Sequence, residues 1–125
     1  MTTHLNKKNN PTMVDISKKN NTKRLAVAQG TIQFSKNTFK KIESFKTKKG
    51  EIINTSIIAG ILGAKKTSEI IPLSHNIIIE KIDIDVSTNK KDSLLIITCY
   101  VKSFGKTGVE MEALTGVAIT CLTIY

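Results

Sequence analysis

A chain of 125 residues, 40% hydrophobic and 23% charged, is one globular domain large enough to bury a core without disulfides. No run approaches the roughly 20 apolar residues of a membrane helix, and the start MTTHLNKKNNPTMVD has no apolar stretch behind its positive charges, which argues against a secretory signal. The net charge of +9 raises nucleic acid as a partner, but Arg24 is the only arginine and tryptophan is absent, whereas such sites use arginine forks and stacking aromatics. The bias to lysine, isoleucine and asparagine is what an AT-rich coding sequence would supply. No nucleic-acid partner and no membrane are therefore expected. Cys99 and Cys121 lack metal-ligand spacing and read as small hydrophobes in a reducing compartment, so the expected location is the cytoplasm.

Residues 1–23 are polar and aperiodic, which predicts a flexible N-terminal arm ahead of a single domain over 24–125. Arg24 to Phe34 alternates as a strand, with Gly30 breaking the alternation where a bulge would sit. Ser35 is placed to cap a short helix that carries Phe39, Ile42 and Phe45 at helical spacing. Lys46 to Gly50 reads as a basic loop. A helix over about Glu51–Ala64 follows, with Ser56, Ala59, Gly60, Gly63 and Ala64 as a small-residue stripe that admits a close neighbour. Thr67 to Ile71 is a further helical turn, because Pro72 biases Ile71 towards extended backbone. Ile78, Ile82, Ile84 and Val86 alternate with charged residues as a half-buried strand, and Ser87 to Asp92 makes the turn. The hairpin partner, Ser93 to Phe104, puts Leu95, Ile97, Cys99 and Val101 on one face. From about Thr107 the pattern is a helix, apolar over so much of its circumference that it must pack on two sides or at an oligomer interface.

The order strand, helices, strand, strand, helix is one strand short of the ferredoxin-like βαββαβ string. The predicted fold is α+β, a βαββα(β) arrangement with an antiparallel sheet, helices on one face and the last strand missing. The final helix has no C-cap glycine and no basic last turn, so the domain is expected to be incomplete at its C-terminus.

Chemistry gathers in two segments. Gly105 to Gly116, GKTGVEMEALTG, sets Glu110 and Glu112 at the opening of an apolar helix. Thr107 and Glu110 fit the T-x-x-E capping box, which would make Glu110 structural. Residues two apart on a helix point about 200° apart, so the two carboxylates either serve different surfaces or precede the helix. Gly105-Lys106-Thr107-Gly108 matches only the tail of a P-loop pattern. The second segment is Pro72-Leu73-Ser74-His75, where a histidine beside a strand suits general acid–base work. His4 falls in the arm and is set aside, and two histidines without matched spacing give no metal site. Lys48-Lys49-Gly50 precedes a helix start that favours anions, while Lys65-Lys66 complements the dipole at its end.

Together these residues resemble the cyclic pyranopterin monophosphate synthase family, also called molybdenum cofactor biosynthesis protein C. The likeness runs from Met13-Val14-Asp15-Ile16-Ser17 to Thr123-Ile124-Tyr125. It passes through Lys49-Gly50, Ile58 to Ile61, Ala64-Lys65-Lys66-Thr67, Ile71 to His75 and Gly105 to Thr115. The resemblance implies a ferredoxin-like subunit, dimers assembled into a hexamer as a trimer of dimers, and active sites at the dimer interface. It implies a lyase that converts the purine-derived cyclic triphosphate 3′,8-cyclo-7,8-dihydro-GTP into cyclic pyranopterin monophosphate and pyrophosphate. On this likeness Lys49, His75 and Glu110 are catalytic. Leu73, Ser74, His75, Met111 and Glu112 line the substrate pocket, and Arg24, Lys65 and Lys66 are basic positions suited to the triphosphate. No metal is expected in the protein and no cofactor is required, though a divalent cation could travel with the triphosphate.

The chain departs from the family in three places. Ser74 and Asn76 stand where cysteine and proline usually flank the histidine. Ile57 replaces an arginine of the central helix, and the family's Asp-Met-Cys-Lys segment after Thr-Ile-Tyr is not in the sequence. Two other readings follow: a catalytically impaired remnant that keeps the fold and assembly, and a small basic nucleic-acid-binding protein.

Overall fold

The computed structural model describes residues 4–44 and 46–125, excepting the side chains of 46–49. Seven elements follow in chain order: β1 (Thr22–Gln33), α1 (Lys36–Ser44), α2 (Lys46–Lys65), α3 (Thr67–Ile70), β2 (Ile79–Asn89), β3 (Leu94–Gly105) and α4 (Glu110–Ile124). The strands form one antiparallel sheet in the order β1-β3-β2. Among the described residues this is the α+β, ferredoxin-like arrangement lacking a fourth strand.

The central strand carries the core. Leu95, Ile97, Cys99 and Val101 alternate along β3 and are fully buried beneath the helices, as a period of two requires for a strand covered on one face. Their neighbours Leu25, Val27 and Tyr100 point to the open face and stay exposed. Burying Ile97 and Val101 alone contributes about 1.5–3 kcal/mol each. The hairpin turn falls slightly later than the sequence suggests, since β2 runs to Asn89. There the Asn89 amide donates to Asp92 Oδ2 at 3.2 Å, and Asp92 N donates to Asn89 Oδ1 at 3.2 Å.

Helices α2 and α4 pack against each other and the sheet. At Gly60 an added Cβ would lie 2.9 Å from Gly116 O and would also meet Thr120 Oγ1 and Ile84, while at Gly63 it would meet Ile119. The small-residue stripe is thus the seam along which two helix backbones touch. The α1 start is capped as expected: Ser35 Oγ accepts from Thr38 N at 3.2 Å. The predicted member Phe45 lies outside the described residues. Ile71 is extended before Pro72, at φ −94 and ψ 116.

Three expectations change. Gly30 is not at a bulge, because β1 pairs with β3 without interruption through Gly30↔Ile97; the glycine is there for space, with Val117 Cγ1 only 2.7 Å from where its Cβ would be. The register irregularity lies instead between Ile79 and Lys81 of β2. Lys46 to Gly50 is the first turn of α2 rather than a loop: lysine is a good helix former, and one glycine near a helix end costs only about 1 kcal/mol. Finally, α4 begins at Glu110 with Val109 as N-cap and no side-chain capping bond, so the Thr107–Glu110 capping box does not form.

Candidate active site

The loop Ile71 to His75 leaves α3 in a tight turn in which Ser74 N approaches Ile71 O at 3.4 Å. Leu73 sits in its left-handed position at φ 64, where a residue with a Cβ is strained by about 1–2 kcal/mol. The strain accompanies a functional placement: Leu73, Ser74 and His75 all face a cavity of about 400 Å³. Thr107, Gly108, Glu110, Met111 and Glu112 line its other side. Missing the capping box is what lets both carboxylates reach one cavity. The space sits at the tip of α4, so the 200° between Glu110 and Glu112 around the helix does not part them. Gly108 makes room, since a Cβ there would collide with the Glu110 carboxylate.

His75 is half-buried, and its Nε2 donates to Val14 O at 2.6 Å. With the proton on Nε2, Nδ1 is the acceptor nitrogen of the neutral ring. Glu112 is only 3% exposed. Loss of water raises its pKa above the ordinary value of 4.5, its own backbone N–H partly offsets this, and the Glu110 charge raises it further. Folding therefore binds a proton here, and the stability this group contributes is greatest in acid and falls as pH rises through the folded pKa. Glu112→Gln should melt at a higher temperature than the parent at neutral pH. The gap should close on acidification below the ordinary carboxylate range, and turnover should fall about a hundredfold or more. A melting difference that does not depend on pH would show that the Glu112 charge is not the cause.

The structure sorts the remaining candidates. Lys65 lines a neighbouring cavity of about 530 Å³ with Ile61, Glu80 and Lys81, separated from the first by Ile77, which lines both. Lys66 is exposed between α2 and α3. Arg24 does not line either cavity; its Nε donates to Gly105 O at 3.4 Å, bracing the start of the Gly105–Gly108 loop. Lys49 lies in the first turn of α2 and its side chain is outside the described residues. Helix rise puts its backbone ~24 Å along α2 from Lys65. That end of α2 meets the far end of α4, where Ile52 and Ile53 share a small cavity with Ile124. Within one chain, His75, Glu110 and Glu112 come together, and the backbone of Lys49 lies at the other end of α2.

Sequence reasoning missed His4, Val14, Ile16 and Lys19, which wall the same cavity. They fall in the segment read as an arm. The alternation of Val14 and Ile16 was the available signal, too short to be read as a strand. Among the described residues no group of three or more His, Cys, Asp or Glu is disposed to hold a metal ion.

Comparison of the sequence with known proteins identifies a family. The cyclic pyranopterin monophosphate synthase of Helicobacter hepaticus is 54% identical over 123 residues, covering 98% of this chain and 77% of that protein. The synthase of the same name from Campylobacter jejuni subsp. doylei is 50% identical over 122 residues, and that of Helicobacter pylori 49% over 123, each covering 98% of this chain and 78% of the relative. The MoaC family model matches residues 13–125, which span every strand and helix described above and, His4 apart, the residues that line the cavity, and the chain belongs to that family.

Proposed function

We propose that this protein is a cyclic pyranopterin monophosphate synthase, a lyase of molybdenum cofactor biosynthesis. Its substrate is 3′,8-cyclo-7,8-dihydro-GTP, and pyrophosphate is released. The observation that carries the reading is the single cavity joining the Leu73–His75 turn to Glu110 and Glu112. Turning a purine skeleton into a pterin requires several proton transfers, and expelling pyrophosphate requires cations on the leaving group. His75 offers an acceptor at Nδ1, Glu112, which burial shifts towards its protonated form, an acid or donor, and Glu110 a carboxylate at the rim. Leu73, Ser74 and Met111 hold the ring system. Lys65 and Lys66 lie on the triphosphate side, and Arg24 shapes the loop beneath. No resident cofactor is assigned a step; a divalent cation would enter with the triphosphate as part of the substrate.

Lys49 completes the set from a second subunit. Its distance from His75 within one chain supports this, and so does the outer face of α4, where Leu114 and Leu122 are 52% and 70% exposed. A homo-oligomer, a hexamer built as a trimer of dimers, would cover those side chains. Among the described residues no helix is long and apolar enough to cross a membrane, in keeping with a cytoplasmic enzyme. Purified protein given the cyclic triphosphate should release one pyrophosphate per pterin formed. Assembled protein that binds the substrate and never releases pyrophosphate would leave the impaired-remnant reading in its place.

A further inference from the structure

Residues 4–12 are folded so as to place an imidazole. Leu5 bridges Pro11, Thr12 N donates to His4 O at 2.8 Å, and Asn6 N donates to Asn10 O at 2.9 Å. The Asn6 side-chain oxygen accepts from Lys8 N at 2.9 Å and from Asn10 N at 3.0 Å, templating the turn as asparagine does. Asn9 takes the left-handed position at φ 60, which asparagine tolerates. Beyond this small hairpin the chain is tied down by the bond from His75 to Val14 O. The result is that His4 borders the same cavity as His75, Glu110 and Glu112.

Charge divides that cavity. Lys19 and His4 lie on its N-terminal wall and His75 is hydrogen-bonded against it, while Glu110 and Glu112 occupy the helix end. The Glu110 carboxylate repels anionic oxygens from that side. The part of a polyphosphate that reaches past Ile77, from the Lys65 side into this cavity, is therefore left to the wall that carries His4. We infer that His4 is a substrate-contacting residue, donating a ring N–H to an anionic oxygen of the polyphosphate while the Asn6 turn and the His75–Val14 bond hold it in place. The inference rests on the synthase reading for the identity of the substrate.

Inorganic tripolyphosphate serves as the probe, because its binding needs no turnover. Titration calorimetry should show His4→Ala binding it about tenfold more weakly than the parent. His4→Gln, which keeps an N–H donor, should recover part of the loss, and Asn6→Ala, which unpins the turn, should lose affinity in the same direction. Lys18→Met removes a full charge next to Lys19 from a residue that does not line the cavity, and should change affinity less than about twofold. With the cyclic triphosphate, His4→Ala should raise KM by the same factor and leave kcat within about twofold. Parent protein that fails to bind tripolyphosphate, His4→Ala that binds as the parent does, or Lys18→Met that weakens binding as much as His4→Ala would each overturn the inference. Parent protein that binds tripolyphosphate but does not turn over the cyclic triphosphate would instead remove the synthase reading, and the affinity ratio would still decide the role of His4.

Discussion

Mixing Lys49→Ala protein with His75→Ala protein should restore activity that neither has alone. Each variant by itself should lose at least about a hundredfold in kcat, since each lacks a group for proton transfer. The rescue follows from where the residues lie. His75 faces the cavity at the start of α4, whereas Lys49 starts α2 at the opposite end of the subunit. If two subunits related by a twofold axis each lend a lysine to the other's cavity, a mixed pair holds one doubly damaged site and one intact site. Random reassociation then gives about a quarter of the parent activity. The measurement is turnover after the variants are dissociated and reassembled together, with mixed oligomers verified by mass. Mixed oligomers that remain silent would place Lys49 outside the site.

Gly60→Val should unfold the protein or lower its stability by about 3 kcal/mol or more. A native domain has only about 5–15 kcal/mol to lose. Any side chain at this position meets the backbone of Gly116 at 2.9 Å as well as Thr120 and Ile84, and a helix backbone cannot move aside as a flexible side chain can. The contact lies where Thr120 Oγ1 donates to Gly116 O at 2.7 Å, so separating the helices also disturbs a buried hydroxyl. Gly50, near the start of the same helix, has nothing within 4 Å of the added atom. Gly50→Ala should stabilise by about 0.5–1 kcal/mol through helix propensity. Denaturant midpoints of the two variants measured together separate the effect of packing from that of propensity. Equal shifts in the same direction would mean that α2 and α4 do not pack along this seam.

These two cases also show which features were legible in the residues. The β3 core row was readable because alternation with a period of two survives any detail of packing. The seam of α2 was readable as a stripe of small residues, and Pro72 marked the end of α3 through its local sterics. Such signals arise from neighbours within a few positions. The misread elements involve competition between local preferences and distant contacts. Gly30 looked like a bulge because a missing side chain is a local signal, but its reason is Val117, far along the chain. Thr107 to Glu110 carries a capping pattern, yet the helix starts at Glu110 and that carboxylate turns to the cavity.

The candidate site divides in the same way. The Gly105–Gly116 and Ile71–His75 segments announce their residue types through the Gly-Lys-Thr-Gly lead-in to the helix and the proline turn before the histidine, since acidic residues at a helix opening are by themselves ordinary. That the two segments share a cavity follows from α4 running back along α2, which delivers the α4 tip to the α3–β2 turn. The N-terminal wall has only the short Val14–Ile16 alternation to betray it; His4, Val14 and Lys19 matter through hydrogen bonds and contacts with residues far along the chain, such as His75 to Val14 O. Pattern and propensity thus establish the elements, the buried row and the chemical types at the site. Which of those groups meet, what proton His75 holds and why Glu112 resists ionisation were settled by burial and long-range contact, because desolvation and hydrogen-bond geometry exist only once distant segments have come together.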